Sequence, residues 1–571
     1  MIKRWLKDKI QEYYPDSEFD VLTPPDDKMG DYSVNLAFVL AKKNGTSPAE
    51  EGEELAAGLS KDKDLADVFE KIEAVKPGFV NFFLKKEFLQ KQLVKIYKKR
   101  DSFGKSKIGN GKTVIVEYSS PNIAKPMHIG HLRSTIIGDA LANVYEALGY
   151  KVIRWNYIGD WGTQFGNLIA AYKLWGNKDD LKNSPFTTLF NLYVRFHNEL
   201  KNNPDLESRG REEFKKLEND DKENLKLWER IKDLSLKELG ILVYPSIGVD
   251  VKRLHFKGES DYQNKLKLLI DNLAKNNIAK ESEGALIIDL EKYGLPPALL
   301  RKSDGTTLYF TRDLASLEDR IQNYHANKIL YVVANQQTLH FEQLFAVAKD
   351  LKIDGAELVH VKFGMVLGED GKKLATREGK VVPLQDVVNK IQEKAYGIVK
   401  HVKFANKDIS EDEAQNIARA VGIGALKYND LKQHPYSDIV FDWDAMLDFS
   451  GNSGPYLQYT YARLANILEK VENQKEGNAA LLVEPEEEKV MKRLLEFPEA
   501  IEKCVELNTL NGLALYLYEL SNDANRFYES VRVLDDDNIE RRDTRLTLIQ
   551  AVATVLKRGL NLLGIEALER I

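Results

Sequence analysis

Two histidines, three residues apart, lie at the end of the segment Ser120-Pro-Asn-Ile-Ala-Lys-Pro-Met-His-Ile-Gly-His131. The segment follows the apolar run 114–116, which predicts a buried strand, and precedes an apolar stripe at i+4 spacing, which predicts a helix. Free backbone N–H groups and the positive end of the helix dipole favour phosphate at such a junction. His128 and His131 could therefore hydrogen-bond a triphosphate, while Gly130 leaves room for a flat base. The alternative is a pair of surface histidines in a helix-capping loop.

Three further segments carry polar residues directly after predicted strands. Gly159-Asp-Trp-Gly162 follows the strand predicted over 151–158. In Ser303–Asp313, a turn at Asp304-Gly305 predicts a following strand that carries Tyr309, with Asp313 near its end. In open α/β sheets, ligands bind at the carboxyl ends of the strands, so we expect these segments and the histidine segment to converge there.

The last of these segments is Gly364–Gly379, which begins where the run 358–363 stops. It contains four glycines and the cations Lys372, Lys373 and Arg377. A flexible backbone with these cations suits a mobile clamp on pyrophosphate, because positive charge stabilises the negative charge that develops on the leaving group. The alternative is a solvated basic hairpin.

The chain alternates strand and helix patterns from residue 113 onward. Strand 113–118, helix 130–148 and strand 151–158 predict a βαβ unit in a parallel sheet. Residues 171 to 280 are charged and mostly helical in pattern, and we expect an insertion with solvated faces. Further strands are predicted where the sheet resumes after this insertion, at 285–290, 308–311, 329–333 and 358–363. Beyond about 385 the pattern is helical, with its clearest break at 450–455.

Composition limits the remaining possibilities. A chain of 571 residues is too long to fold around a single hydrophobic core, so we expect several domains. A content of 43% hydrophobic and 30% charged residues is typical of a globular protein. A net charge of −6 means that any nucleic-acid binding must use local patches. The single cysteine, Cys504, excludes an internal disulfide and a multi-cysteine zinc site. We expect a cytoplasmic protein with no structural metal, no signal peptide and no membrane contact.

Several of these segments resemble the arginyl-tRNA synthetase family. The most specific match is Glu117-Tyr-Ser-Ser-Pro-Asn-Ile-Ala-Lys-Pro-Met-His-Ile-Gly-His-Leu-Arg-Ser-Thr-Ile-Ile-Gly-Asp139. His-Ile-Gly-His is the first signature of class I aminoacyl-tRNA synthetases. Further matches are Asn156–Gly166, Asp304–Asp313, Gln336-Gln337, Gly78–Phe83, Gly454–Arg463 and Leu562–Ala567.

The resemblance implies a multidomain α/β fold. We expect a small α+β N-terminal domain over 1–108 that contacts tRNA, and a Rossmann-like parallel-sheet catalytic domain over 109–395. The insertion at about 171–280 would lie within the catalytic domain. A helical connector over 396–450 would lead to an all-α anticodon-binding domain over 451–571.

The activity that the resemblance implies is ATP-dependent ligation of L-arginine to tRNA(Arg) through arginyl-adenylate. ATP would enter as a substrate with Mg²⁺, and we expect a monomer. By position, His128, Gly130, His131, Lys372, Lys373 and Arg377 would hold ATP. Glu117, Asn122, Tyr309, Asp313 and Gln337 would line the arginine pocket. Carboxylate and amide oxygens suit the planar fork of a guanidinium, which supports this assignment chemically.

One departure from the family pattern concerns the second signature, Lys-Met-Ser-Lys-Ser. The aligned residues here are Lys373-Leu-Ala-Thr-Arg377, so Thr376 replaces the second lysine. Lys125, three residues before His128, is placed to supply the missing charge. We therefore expect Lys125, His128, His131 and Lys373 to be the catalytic residues.

The signal for RNA in the C-terminal third is aromatic. Tyr456, Gln458, Tyr459 and Arg463 could stack on unpaired bases and contact them, as single-stranded RNA is commonly bound. Aromatic residues at this spacing also form helix cores, and the resemblance favours the RNA interpretation.

Three rival functions stay open from the residues alone. The first is a different class I synthetase or another nucleotidyl transferase, which would show no arginine dependence. The second is a catalytically silent RNA-binding relative, although this would not need His128, His131 and Asp313. The third is a metalloenzyme using the two histidines, which lacks an obvious third ligand at helical spacing.

Overall fold

The computed structural model describes residues 2–303, 309–353, 355–372, 374, 382–405, 409–471 and 476–571. It has three regions: a small N-terminal sheet with helices, a central region built on a parallel sheet, and a helical C-terminal region. In the described part of the chain, no helix is long and apolar enough to cross a membrane.

The N-terminal region is a four-stranded antiparallel sheet, with strand order β1-β2-β4-β3, packed against helices. Its elements are α1 (Ile2–Tyr13), β1 (Val21–Leu22), β2 (Tyr32–Val34), α2 (Leu36–Asn44), α3 (Pro48–Leu59), α4 (Lys63–Val68), β3 (Phe69–Val75), β4 (Phe79–Leu84) and α5 (Lys86–Lys99). Val80 and Phe82 on β4 are fully buried. Strand β4 begins directly after the Pro77-Gly78 turn.

The central region alternates strands and helices around a parallel sheet. Its elements are β5 (Thr113–Glu117), α6 (Ile129–Ala147), β6 (Lys151–Ile158), α7 (Thr163–Trp175), α8 (Lys178–Asn183), α9 (Pro185–Glu199), α10 (Asp205–Glu218), α11 (Lys222–Glu238), α12 (Tyr244–Ser246), β7 (Leu254–Gly258), α13 (Gln263–Lys275), β8 (Ala279–Ser282), β9 (Ala285–Ile288), β10 (Ala298–Arg301), α14 (Tyr309–Gln322), β11 (Lys328–Ala334), α15 (Thr338–Asp350), β12 (Glu357–Phe363) and β13 (Val366–Leu367). The parallel sheet has five strands in the order β12-β11-β5-β6-β7.

This sheet confirms the predicted βαβ unit. Strand β5 pairs in parallel with both β6 and β11, so it lies in the middle of the sheet with every residue buried. The strands predicted over 329–333 and 358–363 are β11 and β12, and they also pair in parallel. The carboxyl ends of β5, β6, β7, β11 and β12 therefore share one edge.

Three predictions for this region are wrong. Residues 309–311 begin helix α14 rather than a strand, because Phe310, Leu314 and Leu317 bury one helical face. The sheet resumes within the 171–280 segment rather than after it, because β7 pairs with β6 as an edge strand of the parallel sheet. The predicted strand at 285–290 exists as β9, but it belongs to a separate antiparallel sheet with β8 and β10.

The C-terminal region is helical, as predicted. Its elements are α16 (Leu384–Ala405), α17 (Glu411–Leu431), β14 (Ile439–Val440), α18 (Trp443–Met446), α19 (Gly454–Glu469), α20 (Pro485–Leu507), α21 (Asn511–Ser530) and α22 (Ile539–Leu562). The short strand β14 was not predicted, and it pairs in parallel with β13. The break predicted at 450–455 is confirmed, because Ser453 caps the start of α19 by accepting from the N–H of Tyr456 at 3.2 Å.

Helix α6 lies unusually close to the end of β5. A Cβ atom at Gly138 would approach the Cβ of Tyr118 to 2.2 Å. Tyr118 is itself buried, and its hydroxyl donates to Asp139 at 3.1 Å. The absence of a side chain at this position allows the helix to pack directly against the chain that leads to the histidine segment.

We predict that Gly138→Ala lowers the stability of the central region by about 1–3 kcal/mol, because the added methyl group must displace the Tyr118 side chain. Gly397→Ala is the matched control. Gly397 is also helical, but no atom lies within 4 Å of a Cβ built there. Thermal unfolding should show a lower midpoint for the first variant and an equal or higher one for the second. Equal midpoints for Gly138→Ala and the wild type would contradict the tight packing.

Candidate active site

The chain turns sharply after β5. Ser119 and Ser120 adopt left-handed backbone conformations, with φ of 66° and 42°, which are strained for residues other than glycine. The turn is held because the N–H of Ser119 donates to Ser134 Oγ at 2.9 Å. It places Asn122 beside Gly159, with the N–H of Gly159 donating to the carbonyl of Pro121 at 3.0 Å. The histidine segment and the 159–162 turn are therefore neighbours, as predicted.

The three-residue spacing of the histidines fits the start of α6. His128 is the N-cap residue, and its Nδ1 accepts from the N–H of Gly130 at 3.1 Å. In return, the N–H of His128 donates to Nδ1 of His131 at 3.2 Å. Because Nδ1 of His128 accepts a backbone hydrogen, the neutral ring of His128 carries its proton on Nε2. Nδ1 of His131 also lies 3.3 Å from the carbonyl oxygen of His128, so its role as donor or acceptor depends on the tautomer. His128 can therefore offer an N–H to a phosphate oxygen.

His131 stays neutral at working pH. Burial lowers its pKa from 6.5 to about 3, with smaller contributions from the positive charges of His128 and Lys125. The two ring centroids lie 4.0 Å apart. A neutral His131 ring beside Lys125 can contact an anion without the cost of burying an imidazolium charge.

The beginning of the 364–379 loop is fastened to α6 through a buried ion pair. Arg133 contacts Asp430 of α17 with N–O distances of 3.0–3.2 Å. The same guanidinium donates to the carbonyls of Pro435 and Ser437. The carbonyl of Pro435 also accepts from the N–H of Gly364 at 3.0 Å. The start of the loop is thereby held at a fixed position relative to the histidine helix.

The far end of the loop is fastened to the histidine segment directly. The N–H of Ile129 donates to the carbonyl of Val382, and the N–H of Leu384 donates to the carbonyl of Met127, both at 3.1 Å. Lys372 is exposed near the start of the loop. The predicted residues Lys373 and Arg377 lie outside the described residues.

Helix α14 brings charged side chains to the end of β5. Glu117, the last residue of β5, forms a buried ion pair with Arg320. Asp313, two turns earlier on the helix, accepts from His340 Nε2 at 2.7 Å. Burial raises the pKa of Glu117, the positive charges of Arg320 and His340 oppose the rise, and the charge of Asp313 adds to it. Glu117 and Asp313, two of the five predicted arginine ligands, therefore lie close enough for the charge of one to shift the pKa of the other.

A third carboxylate in this region is Glu259, directly after β7. Its nearest cation is Arg312 at 3.6 Å, and its Oε2 has no hydrogen-bond partner among the described residues. Burial raises the pKa of Glu259 to about 8, and the negative charges of Asp313 and Asp160 contribute. Tyr157 Oη is likewise buried without a hydrogen bond in the described part of the chain. Unpaired buried polar atoms are costly, and such a group at a sheet edge marks a place for a polar ligand.

The other predicted ligands lie around this cluster. Tyr309 begins α14 and is half exposed, and its pKa is raised by burial and by the charge of Glu259. Gln337 follows β11, is exposed, and precedes α15, the helix of His340. Asn122 is half-buried at the turn after β5, and its Oδ1 accepts from the N–H of Ala124 at 3.0 Å. Asn122 and Gln337 follow β5 and β11 of the parallel sheet, whereas Tyr309 follows β10 of the antiparallel sheet and lies close enough to Glu259 for their charges to interact.

The four residues predicted to contact RNA lie on α19 but differ in exposure. Tyr459 is 45% exposed. Arg463 lies over the ring of Tyr528 at 4.6 Å. Tyr456 is half-buried and donates to Asn522 at 2.7 Å. Gln458 does not fit the prediction, because it is fully buried. Its amide donates to the carbonyls of Ala420 and Glu566.

Three residues of the site were missed by sequence reasoning: Glu259, Arg320 and His340. Each is a charged or titratable side chain whose partner is distant in sequence, so spacing alone could not find it. A weak signal existed for Arg320, because it follows Asp313 by seven residues and therefore lies on the same helical face. That signal required α14 to be recognised as a helix.

Comparison with known protein families matches three segments of the chain. Residues 92–443 match "tRNA synthetases class I (R), catalytic domain". Residues 457–571 match "DALR anticodon binding domain". Residues 1–84 match "Arginyl tRNA synthetase N terminal domain".

Similar proteins cover the whole length. Arginine--tRNA ligase 2 of Bacillus anthracis is 42% identical over 551 residues, which cover 96% of this chain and 94% of that protein. Arginine--tRNA ligase of Clostridium perfringens is 40% identical and covers 100% and 99%. Two crystal structures are similar in fold. That of Plasmodium falciparum arginyl-tRNA synthetase has a TM-score of 0.83, 29% identity and coverage of 100% and 98%. That of the Thermus thermophilus enzyme has a TM-score of 0.82, 25% identity and full coverage of both chains.

We predict that Glu259→Gln stabilises the protein at alkaline pH. Burial raises the pKa of this carboxyl from its ordinary value of 4.5 to about 8, so folding favours its protonated form. The stability of the folded state that depends on this protonated carboxyl is fully present below pH 4.5. It is lost as the pH rises through 8. The permanently neutral Glu259→Gln variant should therefore unfold at a higher temperature than the wild type at pH 8.5, with no difference at pH 4.5.

Glu281→Gln, at an exposed carboxyl on β8, is the matched control for this comparison. Differential scanning calorimetry of both variants at the two pH values gives the result. A shift for Glu259→Gln of equal size at pH 4.5 and pH 8.5 would show that the residue is not a buried titrating carboxyl.

Proposed function

Because this chain belongs to the arginyl-tRNA synthetase family, whose members charge tRNA(Arg) with arginine in an ATP-dependent reaction, we propose how its sheet edge performs that reaction. In the first step, a carboxylate oxygen of L-arginine attacks the α-phosphorus of ATP and pyrophosphate leaves. In the second step, a ribose hydroxyl at the 3′ end of tRNA(Arg) attacks the arginyl carbonyl and AMP leaves. The observation that best supports this assignment is the cluster of three carboxylates, Glu117, Asp313 and Glu259, at the edge of the sheet where β5 leads into the histidine segment.

The arginine side of the site uses the carboxylates at the ends of β5 and β7 and on α14. We assign Glu117, Asp313 and Glu259 to the guanidinium of the substrate, with Tyr309 against its planar face. Asn122 and Gln337 follow neighbouring strands and are assigned to the polar α-amino and carboxyl end. A guanidinium brings five donors and a fixed positive charge, which would pair the unsatisfied oxygen of Glu259.

The ATP side uses the beginning of α6. We assign the Nε2–H groups of His128 and His131 to phosphate oxygens, and the face of Gly130 to the adenine base. Lys372, Lys373 and Arg377 are assigned to the departing pyrophosphate. Fastening of the loop at both ends to α6 supports this assignment, because it keeps the loop within reach of the same nucleotide.

ATP is proposed to enter as its Mg²⁺ complex, with phosphate oxygens and water as the metal ligands, as is usual for Mg²⁺. Among the described residues, no group of three or more His, Cys, Asp or Glu side chains could hold a metal ion. We further propose that the enzyme acts as a cytoplasmic monomer.

The tRNA side uses the two terminal regions. We assign residues 451–571 to the anticodon loop, with the exposed Tyr459 and the neighbouring Arg463 and Tyr456 as contacts. An exposed aromatic ring beside a guanidinium offers a stacking surface and a phosphate contact, which is the usual combination for unpaired RNA. Residues 1–108 are assigned to a second contact on the tRNA body.

The proposed function predicts arginine-dependent exchange of pyrophosphate into ATP. Exchange should be measured with and without tRNA(Arg), since the family suggests that bound tRNA assists the first step. L-Lysine, whose point charge leaves the fork-shaped acceptors unpaired, should support exchange at least about 10⁴-fold less efficiently. Absence of arginine-dependent exchange in both conditions would defeat the proposal.

A second prediction concerns Lys125, which is proposed to neutralise the α-phosphate in the transition state in place of the lysine missing at Thr376. Lys125→Ala should lower kcat for adenylation at least about 100-fold, because it removes a charge that acts on the transition state. The control is Lys112→Ala, at the opposite end of β5, which should leave kcat unchanged. Loss confined to the KM for ATP would show that Lys125 contributes only to ground-state binding.

A further inference from the structure

Arg320 is a fully buried arginine beneath the proposed arginine pocket. It is 1% exposed and forms an ion pair with Glu117. Three aromatic rings surround its guanidinium: the ring centroids of Trp155, Tyr331 and Tyr157 lie 4.7, 5.2 and 5.6 Å from its central carbon. Such a group costs much free energy to bury unless it has a fixed task or a strong partner.

The sheet register explains how this cage forms. Trp155 on β6 and Tyr331 on β11 are the direct partners of Glu117 on β5. The three residues form one row across the central strands. Helix α14 lies across this row and inserts Arg320 two turns after Asp313. The guanidinium is thereby held under the last residue of the central strand, on the helix that also carries proposed substrate ligands.

We propose that Arg320 is a positioning residue for arginine recognition, a resident guanidinium that keeps Glu117 ionised and correctly oriented for the substrate. This inference rests on the proposed function, in which Glu117 binds the guanidinium of L-arginine. Arg320 itself touches no substrate in this proposal. It acts through Glu117, whose second oxygen is left for the ligand.

The surrounding charges make this role necessary. Burial alone disfavours the charged form of Glu117, and the nearby charge of Asp313 disfavours it further. The positive charge of Arg320 is the largest cause that opposes this rise in the pKa of Glu117, and the charge of His340 is a smaller one. The titratable groups that face the pair are Asp313 on α14, His340 on α15, Tyr331 on β11, Tyr157 on β6, His255 on β7 and Tyr262 before α13. Without Arg320, the largest cause that lowers the pKa of Glu117 is removed, so its carboxyl binds a proton more readily and loses attraction for a cation.

A purely structural role for Arg320 makes a different prediction. If the ion pair served only the fold, its loss would lower stability and activity by an amount that does not depend on how Glu117 titrates. If Arg320 keeps Glu117 charged, its loss must weaken arginine binding most at low pH and least at high pH. The pH profile of arginine affinity therefore separates the two roles.

The experiment compares Arg320→Met and Arg320→Lys with the wild type. L-Arginine binding is measured by isothermal titration calorimetry between pH 6.5 and 9, with kcat and KM for arginine from aminoacylation. For Arg320→Met, the Kd should rise about 30-fold or more at pH 7, and this ratio to the wild type should shrink as the pH rises. The kcat at saturating arginine should change much less than KM. Arg320→Lys, which keeps the charge, should recover most of the affinity at pH 7.

Glu259 titrates in the same pocket and changes arginine binding in every protein of the series. The quantity to compare is therefore the Kd of the variant divided by the Kd of the wild type at each pH. Repeating the series in a Glu259→Gln background removes that contribution from both proteins. A ratio for Arg320→Met that is constant across the pH range would overturn the proposal. So would an Arg320→Lys variant as weak as Arg320→Met at pH 7.

The double variant Glu117→Gln with Arg320→Met keeps the test decisive if Arg320→Met alone does not fold, because removing both charges of a buried pair is tolerated better than removing one. Its arginine affinity should equal that of Glu117→Gln alone; a further loss would contradict action through Glu117. The proposed function is tested separately. If Glu117→Gln leaves arginine affinity unchanged, the assignment of Glu117 as a substrate ligand fails, whatever Arg320 does.

Discussion

Carboxylates buried at the edge of an apolar sheet must be balanced by positive charge, and the central region of this protein is arranged around that constraint. Glu117 is balanced by Arg320, and Asp313 by His340. Glu259 has only a distant cation, 3.6 Å away, and a raised pKa of about 8. Glu259 therefore favours its protonated form until a cation enters. Under the proposed assignment, a substrate guanidinium would pair with this carboxyl and favour its ionised form.

A second arrangement joins this pocket to the nucleotide end of the site. Strand β5 ends in Glu117 and, one strained turn later, leads to the histidine pair that starts α6. Arg133 on α6 is ion-paired with Asp430 of α17 and bonded to the segment that pairs with β13. The C-terminal helices therefore share a buried ion pair with the helix proposed to hold ATP.

Sequence patterns predicted the central strands of the parallel sheet, but they did not predict its edge strand β7. The β5–α6–β6 unit was predictable because a fully buried strand and a regular apolar stripe leave clear periodicity. Strand β7 was not, since its half-buried edge position leaves no such pattern in Leu254–Gly258. Residues 309–311 were predicted as a strand because aromatic and branched residues favour strands locally, while tertiary burial of Phe310 decides for helix. Arg320 and His340 were missed because ion pairing between distant segments leaves no local signal. Gln458 was predicted to contact RNA because it is polar and lies among tyrosines, but its side chain faces inward and is buried.

The central claim is that the carboxylates of the proposed pocket select the substrate by its positive charge, rather than by shape alone. L-Citrulline tests it most directly, because its side chain has nearly the shape of arginine but no charge. Isothermal titration calorimetry of the full chain with each amino acid should detect arginine binding and no citrulline binding at concentrations that saturate with arginine. Citrulline binding with a Kd close to that of arginine would contradict the account.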